Sequence, residues 1–400
     1  KEIWVLPDGT VKQEGSEGVH AWFIPRPFGF CLNCGQVYLP QEKEFRKLAL
    51  LAAGGRSTAT TLIAVSALGH LERDEQVDEG AKKVLSFTDN RQDAALQSGH
   101  FNDFVQTALL RSALVQALRR KGELTHDQIA DAVYEEMGLD VRDFAKDPQL
   151  APNSPIASRT KHVFKELLTY RIYEDLRYGG RVTMPNLEQV GLLRVEYCGL
   201  KELSEDESKW EGVPLMENLS PTERYDFLRS ILDRMRQWLA IEAHFLKGDH
   251  PKRFRDRALE NLSERWFDEN DSLRLPTWFV LGSPGASERS LSFRSRIGQD
   301  IRRFAAKRGV YLDAEQYENF IRQVMEQLRS YGIVHSETGR NGVQRFRVKW
   351  SAILWRQGDG QVPTDVLREE RQIEALREAV ERAINDFFRN LYSDIGLNLK

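Results

Sequence analysis

Cysteine is scarce in this chain, with 3 in 400 residues. That is too few for a disulfide-stapled secreted scaffold and points to a reducing compartment, so a cytoplasmic location is expected. Long apolar runs are missing too. No stretch of about 18 apolar residues occurs, so neither a transmembrane helix nor a membrane partner is expected. A net charge of -3 gives no global argument for nucleic acid and leaves only local basic footprints. The 8 histidines are scattered, and neither HExxH nor Gly-x-Ser-x-Gly occurs, which argues against a self-contained hydrolase of those types. Internal repeats and low-complexity tracts are absent. There is no initiator methionine or signal peptide, and the chain opens on a strand-like run at Lys1, Glu2, Ile3, Trp4 and Val5. It therefore reads as an excised piece of a longer protein.

What is present is enough for two or three domains: 400 residues, 41% of them hydrophobic. Residues 1–40 read as β-rich, with Asp8-Gly9 marking a hairpin. A helix capped by Ser57 or Thr58 is expected through Leu68, then an acidic linker over 72–80. Residues 94–137 carry apolar residues at helical spacing. Pro221 opens a further helix, with Ser220 and Glu223 in a capping-box arrangement, expected to run to about Leu246. After a joint at 282–285 come a basic helix over 289–307, an amphipathic helix over 313–331 ended by Gly332, and a hairpin with Asn341-Gly342 at its tip. Residues 364–392 read as one long charged helix.

The most informative stretch is residues 83–105, KVLSFTDNRQDAALQSGHFNDFV. A short apolar strand, Val84 to Phe87, breaks into a polar turn, and a helix is expected from Ala94. Such a junction presents hydroxyl, amide and guanidinium groups at a helix N-terminus, where unpaired N–H groups and the dipole favour anions. The plain alternative is an ordinary strand-to-helix joint capped by Asp89 or Asn90.

VLSFTDNRQDAA resembles motif IV of superfamily 2 helicases, which opens their second RecA-like lobe. The longer run through GHFNDFV resembles the large bacterial DEAD/DEAH-box helicases that carry a C-terminal cysteine-bearing domain. GGRSTATTL at 54–62 and PNLEQVGLL at 185–193 are also similar to that group. The resemblance implies backbone contacts to a tracked strand from Thr88, Asn90, Arg91 and Gln92. Arg91 suits bidentate phosphate binding, and Thr88 and Asn90 suit neutral hydrogen bonds. It further implies ATP and magnesium in the parent protein. This sequence holds no GxxxxGK(S/T) loop, no DExH or DExD box and no arginine-bearing motif VI, so the chain alone should not hydrolyse ATP. The implied partners are nucleic acid, DNA in the first instance, and the rest of the helicase chain.

Two further patterns carry chemistry. Cys31-Leu32-Asn33-Cys34-Gly35 is half of a tetrahedral zinc site, because two thiolates at this spacing can share one metal. No second pair is visible, Cys198 stands alone, and an orphan pair of buried thiols is the alternative. The block 289–357 has the order helix, helix, wing. Arg302 and Arg303 on its first helix and Arg340, Arg345 and Arg347 on its wing are expected to touch a nucleic-acid backbone without reading bases. The second helix bears Glu315, Glu318 and Glu326, which do not suit a major groove. The rival reading is a non-catalytic winged-helix adaptor that binds a protein.

The expected fold is mixed α/β and mostly helical: a partial RecA-like core with a helical and winged-helix insertion. The expected organisation is a β-rich segment with the cysteine knuckle over 1–80, the first strand and helix of the lobe over 81–105, a helical insertion over 106–280, a winged-helix-like subdomain over 281–360 and a helix returning to the lobe over 361–400.

Overall fold

A computed structural model describes residues 2–8, 10–12, 18–23, 55–84, 91–177, 184–339, 342–369 and 386–393. The fold is mixed α/β, with helix predominant and three small sheets. Near the start, β1 (Glu2–Val5) pairs antiparallel with β2 (Val11–Lys12) and β3 (Val19–Trp22), as the Asp8-Gly9 signal implies. Helix α1 (Gly55–Arg73) begins before the expected Ser57 or Thr58 cap and runs beyond Leu68.

Helix α2 (Arg91–Lys121) starts at Arg91 rather than Ala94 and crosses the expected 105/106 boundary without a break. Gly122 ends it in the left-handed region, φ 77°, which glycine adopts without steric cost. Next come β4 (Glu123–Thr125), α3 (Ile129–Met137) and α4 (Pro155–Asp175). Ser154 caps α4 by accepting from the Ala157 N–H at 3.1 Å, and Pro155 sits at its first position. The aromatic rings of Phe144 and Phe164 stack at 4.0 Å between α3, α4 and the segment after α3. β5 (Leu193–Tyr197) leads to the short helices α5 (Leu200–Glu205) and α6 (Pro214–Glu217).

Helix α7 (Pro221–Gln237) has the capping box that its sequence encodes: the Glu223 N–H donates to Ser220 Oγ at 3.3 Å, and the Ser220 N–H donates to Glu223 at 3.0 Å. It stops well short of Leu246. Leu239 turns into the left-handed region at φ 55°, and Ile241 is already in β6 (Ile241–Glu242), paired parallel with the strand at Gln344–Lys349. Helix α8 (His250–Asn261) packs on α4.

The stretch expected as one basic helix from 289 is instead β7 (Trp278–Val280) paired parallel with β8 (Glu288–Ser290), a loop, and α9 (Arg296–Ala306). The reason is local. Ser290 Oγ donates to Gly282 O at 3.0 Å, Ser292 N–H donates to Ser290 Oγ at 3.0 Å, and Ser295 Oγ accepts from Gly298 at 3.1 Å. Serine hydroxyls thus satisfy the backbone outside a helix and cap α9 where it does begin. Helix α10 (Ala314–Ser330) carries an Asp313–Gln316 capping box and ends at Gly332, φ 74°. The hairpin follows as β9 (Val334–Thr338) and β10 (Gln344–Lys349), its tip at 340–341 lying outside the described residues.

β11 (Ile353–Gln357) runs between β4 and β5, antiparallel to both. The chain therefore returns at 353–357 to the place it left at 123–125. Where the return loop crosses the turn before β5, a side chain has no room: a Cβ on Gly191 would lie 2.5 Å from the Gly360 carbonyl carbon. The expected helix over 364–392 is described only as α11 (Val366–Glu369) and α12 (Asp386–Ser393), and α12 packs on α2. Among the described residues, the only parallel strand pairs are β6 with β10 and β7 with β8.

One continuous apolar core runs from Val65 to Tyr392. Guanidinium groups cross it. Arg236 of α7 is 1% exposed and donates to Glu188 at 2.7 and 3.0 Å, to Asp233 at 2.8 Å, to Tyr197 Oη at 3.1 Å and to Leu176 O at 3.3 Å. Burial pushes the Glu188 carboxyl up, and the adjacent Arg236 charge opposes that shift. Arg111 of α2 binds Asp175 and donates to Tyr392 Oη at 2.6 Å, while the Tyr392 hydroxyl donates to Pro185 O at 3.0 Å. This cluster holds α12 against α2 and α4.

Arg236→Met should cost about 3–5 kcal/mol in urea unfolding, because Glu188 would be left buried without its partner. Adding Glu188→Leu should return most of that loss. A single substitution within about 1 kcal/mol of the parent would show that the pair carries no such weight.

The Ser220 N–H and hydroxyl hold the Glu223 carboxyl below the usual carboxylate range. A depressed folded value contributes stability that is present above the unfolded value, near 4.5, and lost as pH falls through the folded value. Glu223→Gln should therefore lower Tm modestly at neutral pH and leave it nearly unchanged in acid, which flattens the acid limb of Tm against pH. An unchanged acid limb would contradict the assignment.

Candidate nucleic-acid interface

Thr88, Asn90, Cys31, Cys34 and Arg340 lie outside the described residues. Arg91 and Gln92 are the first two residues of α2. The described candidates are Arg302, Arg303, Arg345 and Arg347, and they fall into two groups rather than one surface.

Arg345 and Arg347 project from β10 onto one indole, with their guanidiniums 4.6 and 3.7 Å from the Trp278 ring centre. Arg345 also pairs with Glu337 across the hairpin and lies 3.8 Å from Glu288 of β8. Arg347 is 7% exposed, and it donates to Thr277 O at 2.9 Å and Pro276 O at 2.7 Å. Burial brings its guanidinium down to about 10, so it stays charged at neutral pH. These two arginines tie β10 to β7 and to the segment that leads into it. Arg347 does not face solvent, unlike the wing contact expected of it.

On α9, Arg302 lies 3.7 Å over the Phe293 ring and donates to Phe293 O at 3.3 Å. Arg303 is half-exposed and donates to Asp300 at 3.2 Å. Asp300 is itself buried, and Arg234 of α7 binds it from the other side at 2.7 Å. Arg308 stacks 3.6 Å over Phe304 and lies 3.6 Å from Glu223. The basic block thus meets acid from outside its own stretch of sequence, since Glu223 of α7 reaches Arg308.

What the sequence did not single out lies beside this block. Trp238, the residue after α7, is 46% exposed. The exposed Arg289 of β8 places its guanidinium 3.9 Å over that indole. The signal available in sequence was the pair of neighbouring residues Gln237 and Trp238 at the end of an otherwise buried arginine-rich helix.

From 289 to 308 the chain bears seven basic residues, Arg289, Arg294, Arg296, Arg302, Arg303, Lys307 and Arg308, against the single acid Asp300. Arg289, Arg294, Arg296, Arg303 and Lys307 are exposed. Cations on stacked or carboxylate-braced stems suit a phosphodiester backbone, which needs positive charge but no base-edge code. The face of α10 is different, with Glu315, Glu318 and Glu326 all exposed.

Among the described residues no group of three or more metal-type side chains is gathered. No described helix is long and apolar enough to cross a membrane. Comparison with protein-family models, with curated proteins and with solved structures finds no match.

Proposed function

We propose that this chain supplies part of the tracking surface and an accessory insertion of an ATP-dependent nucleic-acid helicase or translocase. On this reading ATP and magnesium are handled by motifs elsewhere in a longer protein, and these residues alone hydrolyse nothing. Residues 81–105 and the returning α12 belong to a RecA-like lobe, and 281–360 forms a winged-helix-like subdomain. Cys31 and Cys34 form half of a zinc site. Thr88, Asn90, Arg91 and Gln92 contact the backbone of the tracked strand, by resemblance to motif IV.

The observation that carries this reading is the return of the chain. β11 pairs with β4 at Leu354–Thr125, Trp355–Leu124 and Arg356–Glu123, and α12 packs back on α2. A segment whose two ends meet can sit inside a host domain without disturbing it. Helix α2, whose 31 residues make a rod of roughly 46 Å, begins at the motif IV turn and continues into the insertion. Helix α9, helix α10 and the β9–β10 hairpin follow the winged-helix order, and the outward basic groups cluster before and on α9. Arg303, braced by Asp300, belongs to the backbone contact, and Arg302 packs against Phe293 beside it in the chain. Arg345 and Arg347 serve the sheet.

A second reading rests on the exposed acids of α10. A winged-helix unit whose second helix is acidic suits a protein partner better than a groove, which would make the chain a non-catalytic adaptor.

Fluorescence anisotropy with short single- and double-stranded DNA separates the two. Backbone contact by about four cations predicts a slope of log affinity against log salt near −3 for single strands, with little sequence preference. No binding at about 50 mM salt would overturn the nucleic-acid reading and favour the adaptor.

A further inference from the structure

We infer that Trp238 and Arg289 form a stacking ledge for an unpaired base of single-stranded DNA. The inference rests on the nucleic-acid reading above and adds to it a contact with bases rather than phosphates.

Tryptophan is highly buried on average, so an indole left 46% exposed at the end of a buried helix is unusual. The backbone beside it is held at a cost. Leu239 takes φ 55°, a region that a bulky side chain rarely adopts. Its N–H donates to Arg236 O at 2.7 Å, and the Ala240 N–H donates to Met235 O at 3.0 Å. Those two bonds close the helix in the manner that normally uses glycine. Here the buried Leu239 side chain anchors the turn from the core side while Trp238 points outward. Strained backbone maintained next to an exposed aromatic is the pattern of a pre-organised contact.

Arg289 supplies the second layer. Its guanidinium lies 3.9 Å over the indole, and no carboxylate among the described residues pairs with it. A guanidinium stacked on an aromatic keeps one face and its N–H edges toward solvent. Unpaired bases stack on aromatic rings and on arginine planes, and every base has a π-face, so such a ledge accepts any sequence. The next exposed cation along the chain is Arg294, five residues on and thus within about 18 Å of chain. No acidic residue intervenes before Asp300. Glu288 precedes Arg289 but lies 3.8 Å from Arg345, and from Arg289 onward the chain offers exposed basic residues to neutralise the phosphates beside one stacked base. A duplex, whose bases are already stacked, gains nothing from the ledge.

The test is anisotropy of the whole chain with fluorescein-labelled oligo-dT and with an abasic oligonucleotide of the same length. The unaltered chain should bind oligo-dT more tightly than the abasic strand. Trp238→Ala should weaken oligo-dT binding about 5- to 100-fold and leave abasic binding unchanged, and Trp238→Phe should retain most of the affinity. Matching thermal unfolding of parent and variants checks that the partly exposed position has not altered the fold. If Trp238→Ala binds oligo-dT like the parent, or if the parent holds abasic and normal strands equally, the ledge is wrong while the backbone reading stands. If the unaltered chain binds neither strand, both fail.

Discussion

Buried guanidinium groups on a single helix set the rest of this structure. Arg224, Arg229, Arg234 and Arg236 of α7 are 2, 4, 9 and 1% exposed. Each must find acceptors away from water, because a buried unpaired charge is strongly destabilising. The acceptors come from everywhere in the fold. Arg224 reaches Met216 O, Ser204 O and Glu207, and Arg229 reaches Thr364 O. Arg234 holds Asp300 and Asp365, and Arg236 holds Glu188 and Tyr197. One helix therefore dictates where the turn before β5, the loop before α11 and the start of α9 lie.

The same constraint positions the candidate interface. Asp300 is drawn into the interior by Arg234, which fixes the rotation of α9 about its axis and leaves Arg303 on the outer side, braced by the same carboxylate. Buried arginines keep α7 in place up to Gln237, and the strained turn at Leu239 then directs Trp238 outward, under Arg289. Interior ion pairs thus act at the surface through rigid elements. The contrast with Arg345 and Arg347 is instructive. They sit on the face of β10 opposite the core residues Phe346 and Val348, and there they stack on Trp278.

Local signals were legible in the sequence, and long-range ones were not. The Ser220–Glu223 capping box, the stop at Gly332 and the β9–β10 hairpin are encoded by neighbouring residues and form as read. Helix α7 ends earlier than its sequence implies because Leu239 adopts a conformation that sequence associates with glycine, and because Ile241 is claimed by a distant strand, β10. The helix expected from 289 gave way to β8 through pairing with β7 and a serine network, neither visible as periodicity. Arginine reads as surface charge, so neither the interior role of Arg236 nor that of Arg347 was apparent. The Glu188 partner of Arg236 lies 48 residues away in the chain, and the carbonyl partners of Arg347 lie 70 and 71 away. Of the interface, the basic composition of 289–308 was readable, but its pairing with Trp238 was not.

The central claim is that nucleic acid meets this chain along the edge formed by the end of α7, β8 and α9. Hydrogen–deuterium exchange of the whole chain, with and without saturating single-stranded oligonucleotide, tests it most directly. The account predicts slowed exchange over 237–242 and 288–303, with the interior turns of α7 unchanged. Protection confined to the outer face of α10, or none over 288–303 while the strand is bound, would contradict it.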